Sequence, residues 1–136
     1  MDIHASLRSL RISPRKVRLV INTIRGLSAT AADTRLTFLK KGAALPVQKL
    51  LRSAIANAQH NFHLDKEGLT VKTVTADGGP TLKRNRPRAF GRGSAIRKRT
   101  THLMLVLTDE AKKTAVKPAP KKRAPARKTT VSSANA

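Results

Sequence analysis

Between Thr81 and Thr100 the chain reads TLKRNRPRAFGRGSAIRKRT, with eight Lys or Arg among twenty residues and no Asp or Glu. Turn-prone residues (Pro87, Gly91, Gly93) interrupt it, and segments with strand character flank it. The pattern predicts a β-hairpin over 81–100 whose two sides repel each other, because like charges opposite one another destabilise paired strands. With ten residues on each side, at about 3.3 Å per residue, the arm has a reach of roughly 33 Å. A solvated loop is the plain alternative. Against it, structureless loops longer than about 12–15 residues are uncommon unless they serve a function. A surrounding polyanion removes the repulsion and gives the length a use.

The rest of the chain carries the same signature. Its 136 residues hold 29 Lys or Arg against seven Asp or Glu, a net charge of +22. Such a charge opposes compaction by self-repulsion, and basic residues spread this widely point to nucleic acid as the partner. A membrane surface is the rival partner for such a charge, but no apolar run approaches the about 20 residues of a spanning helix, and no membrane partner is expected. The N-terminus has no apolar core of a secretory signal. Without Cys there is neither disulfide nor thiolate metal site, which fits a reducing compartment. The only aromatics are Phe38, Phe62 and Phe90. Modules that read single-stranded RNA stack bases on several aromatic rings, so this chain is expected to grip phosphates and shape.

Length and composition predict one domain over 1–110 and a basic tail over 111–136. The tail holds eight basic residues, no acidic ones and almost nothing large to bury, and such a segment does not offset its ordering entropy. Within the domain, Ser13-Pro14 opens a first helix. Val17, Val20, Ile21 and Ile24 form its apolar stripe, and Gly26 is placed to end it. Ser28 caps a second helix through about Leu39. Val47, Leu50, Leu51, Ala54, Ile55, Ala58 and Phe62 keep one face of a third helix apolar for four turns. Pro46 requires that helix either to start near Ala43 or to bend there. Leu69 to Ala76 reads as a strand broken or bulged by Asp77-Gly78-Gly79-Pro80. Leu103 to Leu107 reads as a strand covered on both faces, and Ile3 to Leu10 as an edge strand.

Catalytic motifs fail on inspection. Ser13-Pro14-Arg15-Lys16 matches S-x-x-K, but the S-D-N and K-T-G elements of that site are missing. Gly91-Arg92-Gly93 lacks the third glycine and the strand–helix frame of a dinucleotide loop. His60, His63 and Asp65 have the donor atoms for zinc, yet two histidines at a helix end read more simply as facing solvent or RNA. No enzyme, cofactor, metal or small-molecule substrate is expected.

Several motifs in order carry a resemblance. Arg11-Ile12-Ser13-Pro14-Arg15-Lys16-Val17-Arg18 is followed by Ser53-Ala54-Ile55-Ala56-Asn57-Ala58-Gln59-His60-Asn61, then by Gly79-Pro80-Thr81-Leu82-Lys83-Arg84. Arg86-Pro87-Arg88-Ala89, Gly91-Arg92 and Lys98-Arg99-Thr100 come next, before His102. Over roughly residues 3 to 109 the chain resembles the family of ribosomal protein twenty-two of the bacterial-type large subunit. The resemblance implies an α+β fold, three helices packed on a small antiparallel sheet, with one long protruding β-hairpin; the disordered basic C-terminal tail is expected from composition alone. It implies a structural role on large-subunit rRNA, help in its assembly, and a hairpin lining the nascent-peptide exit tunnel. Neighbouring ribosomal proteins and the nascent polypeptide are the other implied partners, in the cytoplasm or a plastid stroma. The residues so implied in rRNA binding are Arg11, Arg15, Lys16, Arg18, Lys83, Arg84, Arg86, Arg88, Arg92, Arg97, Lys98 and Arg99. Arg88, Ala89, Phe90, Gly91, Arg92 and Gly93 would form the tunnel-lining tip. Phe90, Pro46 and the tail beyond Glu110 depart from the family pattern. The rival reading is an architectural DNA-binding protein that wedges Pro87 or Phe90 between base steps. It leaves the Arg11–Arg18 and Ser53–Asn61 segments unexplained.

Overall fold

The computed structural model describes residues 1–109. The tail expected at 111–136 lies outside the described residues. Strand β1 (Asp2–Leu10) leads into helices α1 (Pro14–Ile21), α2 (Ala29–Phe38) and α3 (Ala44–Phe62). A short 3₁₀ turn (Lys66–Gly68) precedes β2 (Leu69–Gly78), the arm strands β3 (Leu82–Pro87) and β4 (Gly93–Lys98), and β5 (Thr101–Asp109). Two separate antiparallel sheets result: a three-stranded one in the order β1-β5-β2, and the two-stranded arm β3-β4. This is the α+β architecture expected, with β1 at an edge. No helix among the described residues is long and apolar enough to cross a membrane.

Burial explains the order. The last strand, β5, pairs on both sides, and Leu103, Leu105 and Leu107 on it are fully buried. The sequence suggested cover on both faces, but Met104 stands 52% exposed between them. A sheet of three strands has helices packed over one side only, so the continuous apolar run overstates the burial. Strand β2 buries Leu69, Val71, Val74 and Ala76, a spacing of 2, 3, 2 that strict alternation forbids. A β-bulge between Val71 and Thr73 supplies the extra residue and returns Val74 to the inner face. Strand β1 does the same with a bulge between Leu7 and Leu10, where Ser9 has a φ of 56°. The Nδ1 of His102 accepts the Ser9 N–H at 3.0 Å and holds that irregular residue in place.

The helices follow their stripes with two corrections. Helix α1 stops at Ile21, not at Gly26. Tighter turns then carry Ile24 into the core, through Thr23 N–H to Val20 and Ile24 N–H to Ile21. Gly26, with φ 73°, turns the chain so that Gly26 N–H and Leu27 C=O both bond Val71 on the free edge of β2. In α3, Pro46 lies in the first turn, after Ala43, where the missing N–H has no helical partner to lose. Phe62 was expected in the buried stripe and is instead exposed. His63 ends the helix in a left-handed cap, and Leu64 folds back to the core with its N–H on the Ala58 carbonyl.

Helix α2 is tied to α3 by a polar junction. Buried Gln48 donates from Nε2 to Asp33 Oδ1 at 2.9 Å and to Thr37 Oγ1 at 2.8 Å, and Arg52 Nε reaches the same carboxylate at 3.1 Å. Burial pushes the Asp33 carboxyl up, but the hydrogen bonds from Gln48 and Arg52 outweigh it and hold the group below the ordinary 3.8.

Candidate nucleic-acid interface

The arm pairs Leu82 with Lys98, Lys83 with Arg97, Arg84 with Ile96, Asn85 with Ala95, Arg86 with Ser94 and Pro87 with Gly93. Six residues a side at about 3.3 Å span roughly 20 Å, so the paired part is shorter than the full 81–100 segment suggested. The register also corrects the expectation of repulsion throughout. Only Lys83 and Arg97 set cation against cation; Lys98, Arg84 and Arg86 each face a neutral residue. Side chains alternate across a strand, so those last three share one face with Leu82, Ile96 and Ser94. The opposite face carries its two cations near the root and only Asn85, Ala95, Pro87 and Gly93 farther out.

At the tip, Arg88 N–H donates to the Arg92 carbonyl at 2.7 Å, closing a loop over Ala89, Phe90 and Gly91. Phe90 and Gly91 both take left-handed conformations, φ 57° and 66°. For Gly91 this is easy; for an aromatic residue it is an uncommon state. The Phe90 side chain is 98% exposed. The backbones of Arg88 and Arg92 thus close a loop that carries an aromatic ring with no cover.

The root is tied into the domain by hydrogen bonds. Gly79 N–H donates to the Thr100 carbonyl at 3.0 Å, and Thr100 Oγ1 donates to the Pro80 carbonyl at 2.6 Å. A Cβ on Gly79 would sit 2.6 Å from that hydroxyl and 3.1 Å from His102 Nε2, so this glycine permits the close approach from which the arm departs. Thr101 Oγ1 in turn donates to the Ile12 carbonyl, fastening the start of α1 to the same place.

An open groove of about 720 Å³ lies there, between the start of α1, the arm's root and the loop 41–43. Arg11, Lys16, Lys98 and Arg99, all singled out from sequence, converge on it. Lys41, on the turn between α2 and α3, joins them; the Lys40-Lys41-Gly42 triplet was a legible signal for it. Sequence reasoning also missed the groove's apolar members, Ile12, Leu19 and Leu82. Arg15 is exposed on α1 outside the groove lining, and Lys83, Arg84, Arg86, Arg88, Arg92 and Arg97 extend along the arm. Arg18 has a structural partner as well: its Nε donates to the Ala76 carbonyl at 3.0 Å, as Arg25 does to Val74 at 2.7 Å. These arginines cap carbonyls of β2, an edge strand whose free groups would otherwise invite another chain.

Among the described residues the ion pairs are Arg52–Asp33 and Lys72–Asp2. None involves the arm or the groove. The Asp2 carboxyl is held below its ordinary value mainly by the Lys72 hydrogen bond. Among the described residues, no three His, Asp or Glu side chains are placed to hold a metal ion.

The model of the ribosomal protein L22p/L17e family matches residues 5–108. The large ribosomal subunit protein uL22 of Desulfitobacterium hafniense (strain Y51) is 51% identical over 106 residues, 78% of this chain and 93% of that relative. The proteins of the same name from Macrococcus caseolyticus (strain JCSC5402) and Staphylococcus aureus (strain JH9) are each 49% identical. They cover 84% and 80% of this chain, and 92% and 93% of their own lengths.

Proposed function

Because the chain belongs to the ribosomal protein L22p/L17e family, and so is a large-subunit ribosomal protein rather than an enzyme, we propose that it works by binding large-subunit rRNA through the groove and arm. The globular part anchors at the arm's root, neighbouring ribosomal proteins pack beside it, and the arm runs between RNA segments to line the path of the nascent peptide. In this reading Arg84, Arg86 and Lys98 face phosphate, while Arg88 to Gly93 reach the lumen. The chain assists assembly by holding RNA segments together from both faces of the arm. The cytoplasm of a bacterium, the source of the relatives compared, is the setting that fits.

The observation that carries this is the unneutralised arm. Eight cations between Thr81 and Thr100 have no carboxylate partner among the described residues. A polyanion is the partner that such a surface lacks. Titration of a large-subunit rRNA fragment with the full chain tests it. Neutralising 6–10 phosphates lowers affinity by about 10³–10⁵ between 50 and 200 mM salt, and a loss of that order is expected. A nearly flat salt dependence overturns the reading. Co-sedimentation with DNA rather than with large subunits after DNase treatment would favour the architectural DNA protein instead.

A further inference from the structure

The groove at the root of the arm combines two chemistries, and phosphate binding uses only one of them. Its cations come from three separate elements, Arg11 and Lys16 beside α1, Lys41 on the loop, Lys98 and Arg99 at the root, and its lining holds no carboxylate. Yet Leu19 and Leu82 also line it. Leu19 lies off the buried stripe of α1 and is 66% exposed. A single exposed leucine is ordinary. An exposed leucine that lines the same groove as a second leucine and five cations gives one site both apolar surface and positive charge. Its volume of about 720 Å³ falls within the 300–1,000 Å³ of small-ligand sites.

We propose that this groove seats an unpaired nucleotide of the RNA, its base against Leu19 and Leu82 and its flanking phosphates on Lys16, Lys98 and Arg99. The inference rests on the rRNA-binding reading and adds the class of RNA element recognised. A regular duplex presents phosphates on its outer surface and keeps its bases stacked inside, so it would satisfy the cations and leave the leucines in water. An unstacked nucleotide satisfies both. The groove is also continuous with the arm, since Leu82 and Lys98 face each other across its first register pair, so RNA gripping the arm passes over the groove.

The chain has no Trp and no Tyr, which makes Leu19→Trp a clean reporter. Adding a large-subunit rRNA fragment should quench the introduced indole and shield it from acrylamide. Leu19→Ser should weaken RNA binding roughly tenfold, the equivalent of losing one buried leucine contact, without changing the salt slope. Lys16→Gln should lower that slope by about one. If the unsubstituted chain fails to bind the RNA, the rRNA-binding reading fails first. If it binds with a steep slope while the indole stays unquenched and Leu19→Ser binds as before, the nucleotide site is overturned and the rRNA reading stands. Shielding without quenching, seen only in assembled subunits, would give the groove to a neighbouring protein and likewise overturn the proposal.

Discussion

The central sheet and the arm use the same antiparallel pairing to opposite ends. In the sheet, β5 has a partner on each side and helices over its inner face, so Leu103, Leu105 and Leu107 are fully buried. In the arm, β3 and β4 have only each other; Leu82 and Ser94 are half-buried and all their other residues are exposed. Hydrogen-bonded pairing alone therefore does not distinguish a core from an appendage. What distinguishes them is what the side chains displace, and an isolated two-stranded hairpin is marginal in water. The arm's register leaves only one pair of like charges directly opposite each other, but it supplies no burial. Its stability has to come from its root and from whatever surrounds it.

Truncation of matched apolar residues puts the largest effect on this contrast. Leu105→Ala removes a fully buried side chain from the middle of the central strand and should cost about 2–5 kcal/mol in chemical unfolding. Ile96→Ala, on the arm and 40% exposed, should change the same measurement by less than about 0.5 kcal/mol. Comparable losses at the two sites would mean that arm and core unfold as one unit.

The junction between the two regions comes next. Gly79→Ala would press a methyl group against Thr100 Oγ1 and His102, and the hydroxyl cannot retreat without giving up the Pro80 carbonyl. Forcing a methyl group into a close-packed site costs about 1–3 kcal/mol. The loss should appear in global unfolding and, more strongly, as amide exchange at Thr100 and Thr101. A loss confined to arm amides would instead place the hinge beyond Thr81, outside the root clamp.

The same division explains what could be read in advance. The helices were legible from their apolar stripes and their starts: Pro14 opens α1, although the Ser13 side chain makes no cap bond, and the Ser28 hydroxyl accepts from the Ala31 N–H at the start of α2. The break or bulge expected at Asp77-Gly78-Gly79-Pro80 is displaced: β2 keeps its register through Gly78. The bulges fall between Val71 and Thr73 and between Leu7 and Leu10, where a buried spacing of three is absorbed by adding a residue to a pleated strand. Phe62 was misassigned because periodicity continues past the point where the helix has anything to pack on. The cations of the interface were legible from charge alone. Their convergence was not, since Lys41, Lys16 and Lys98 are far apart in sequence and meet only when the sheet closes over Thr101. Leu19 was invisible for a simpler reason: an apolar residue off the stripe gives no periodic signal.

The smallest expected effect lies at the tip and isolates the backbone from the side chain. Phe90 holds a left-handed conformation while its ring is 98% exposed. Phe90→Ala keeps the Cβ and its strain but discards a ring that is almost wholly in solvent, so stability should not change measurably. Phe90→Gly removes the strain, which for an L-residue in this region is roughly 1 kcal/mol, and adds back freedom to the unfolded chain worth about 0.4–1 kcal/mol. The two nearly cancel, leaving a few tenths in either direction. Because the arm contributes little to the core, even that remainder should be absent from global unfolding. It should appear as altered exchange protection of the Arg88 and Arg92 amides, whose bonds to the Arg92 and Ala89 carbonyls close the tip. A shift in global stability from Phe90→Ala would show the ring resting on the folded domain in solution, and the arm would then be a folded-back flap, not a projecting one.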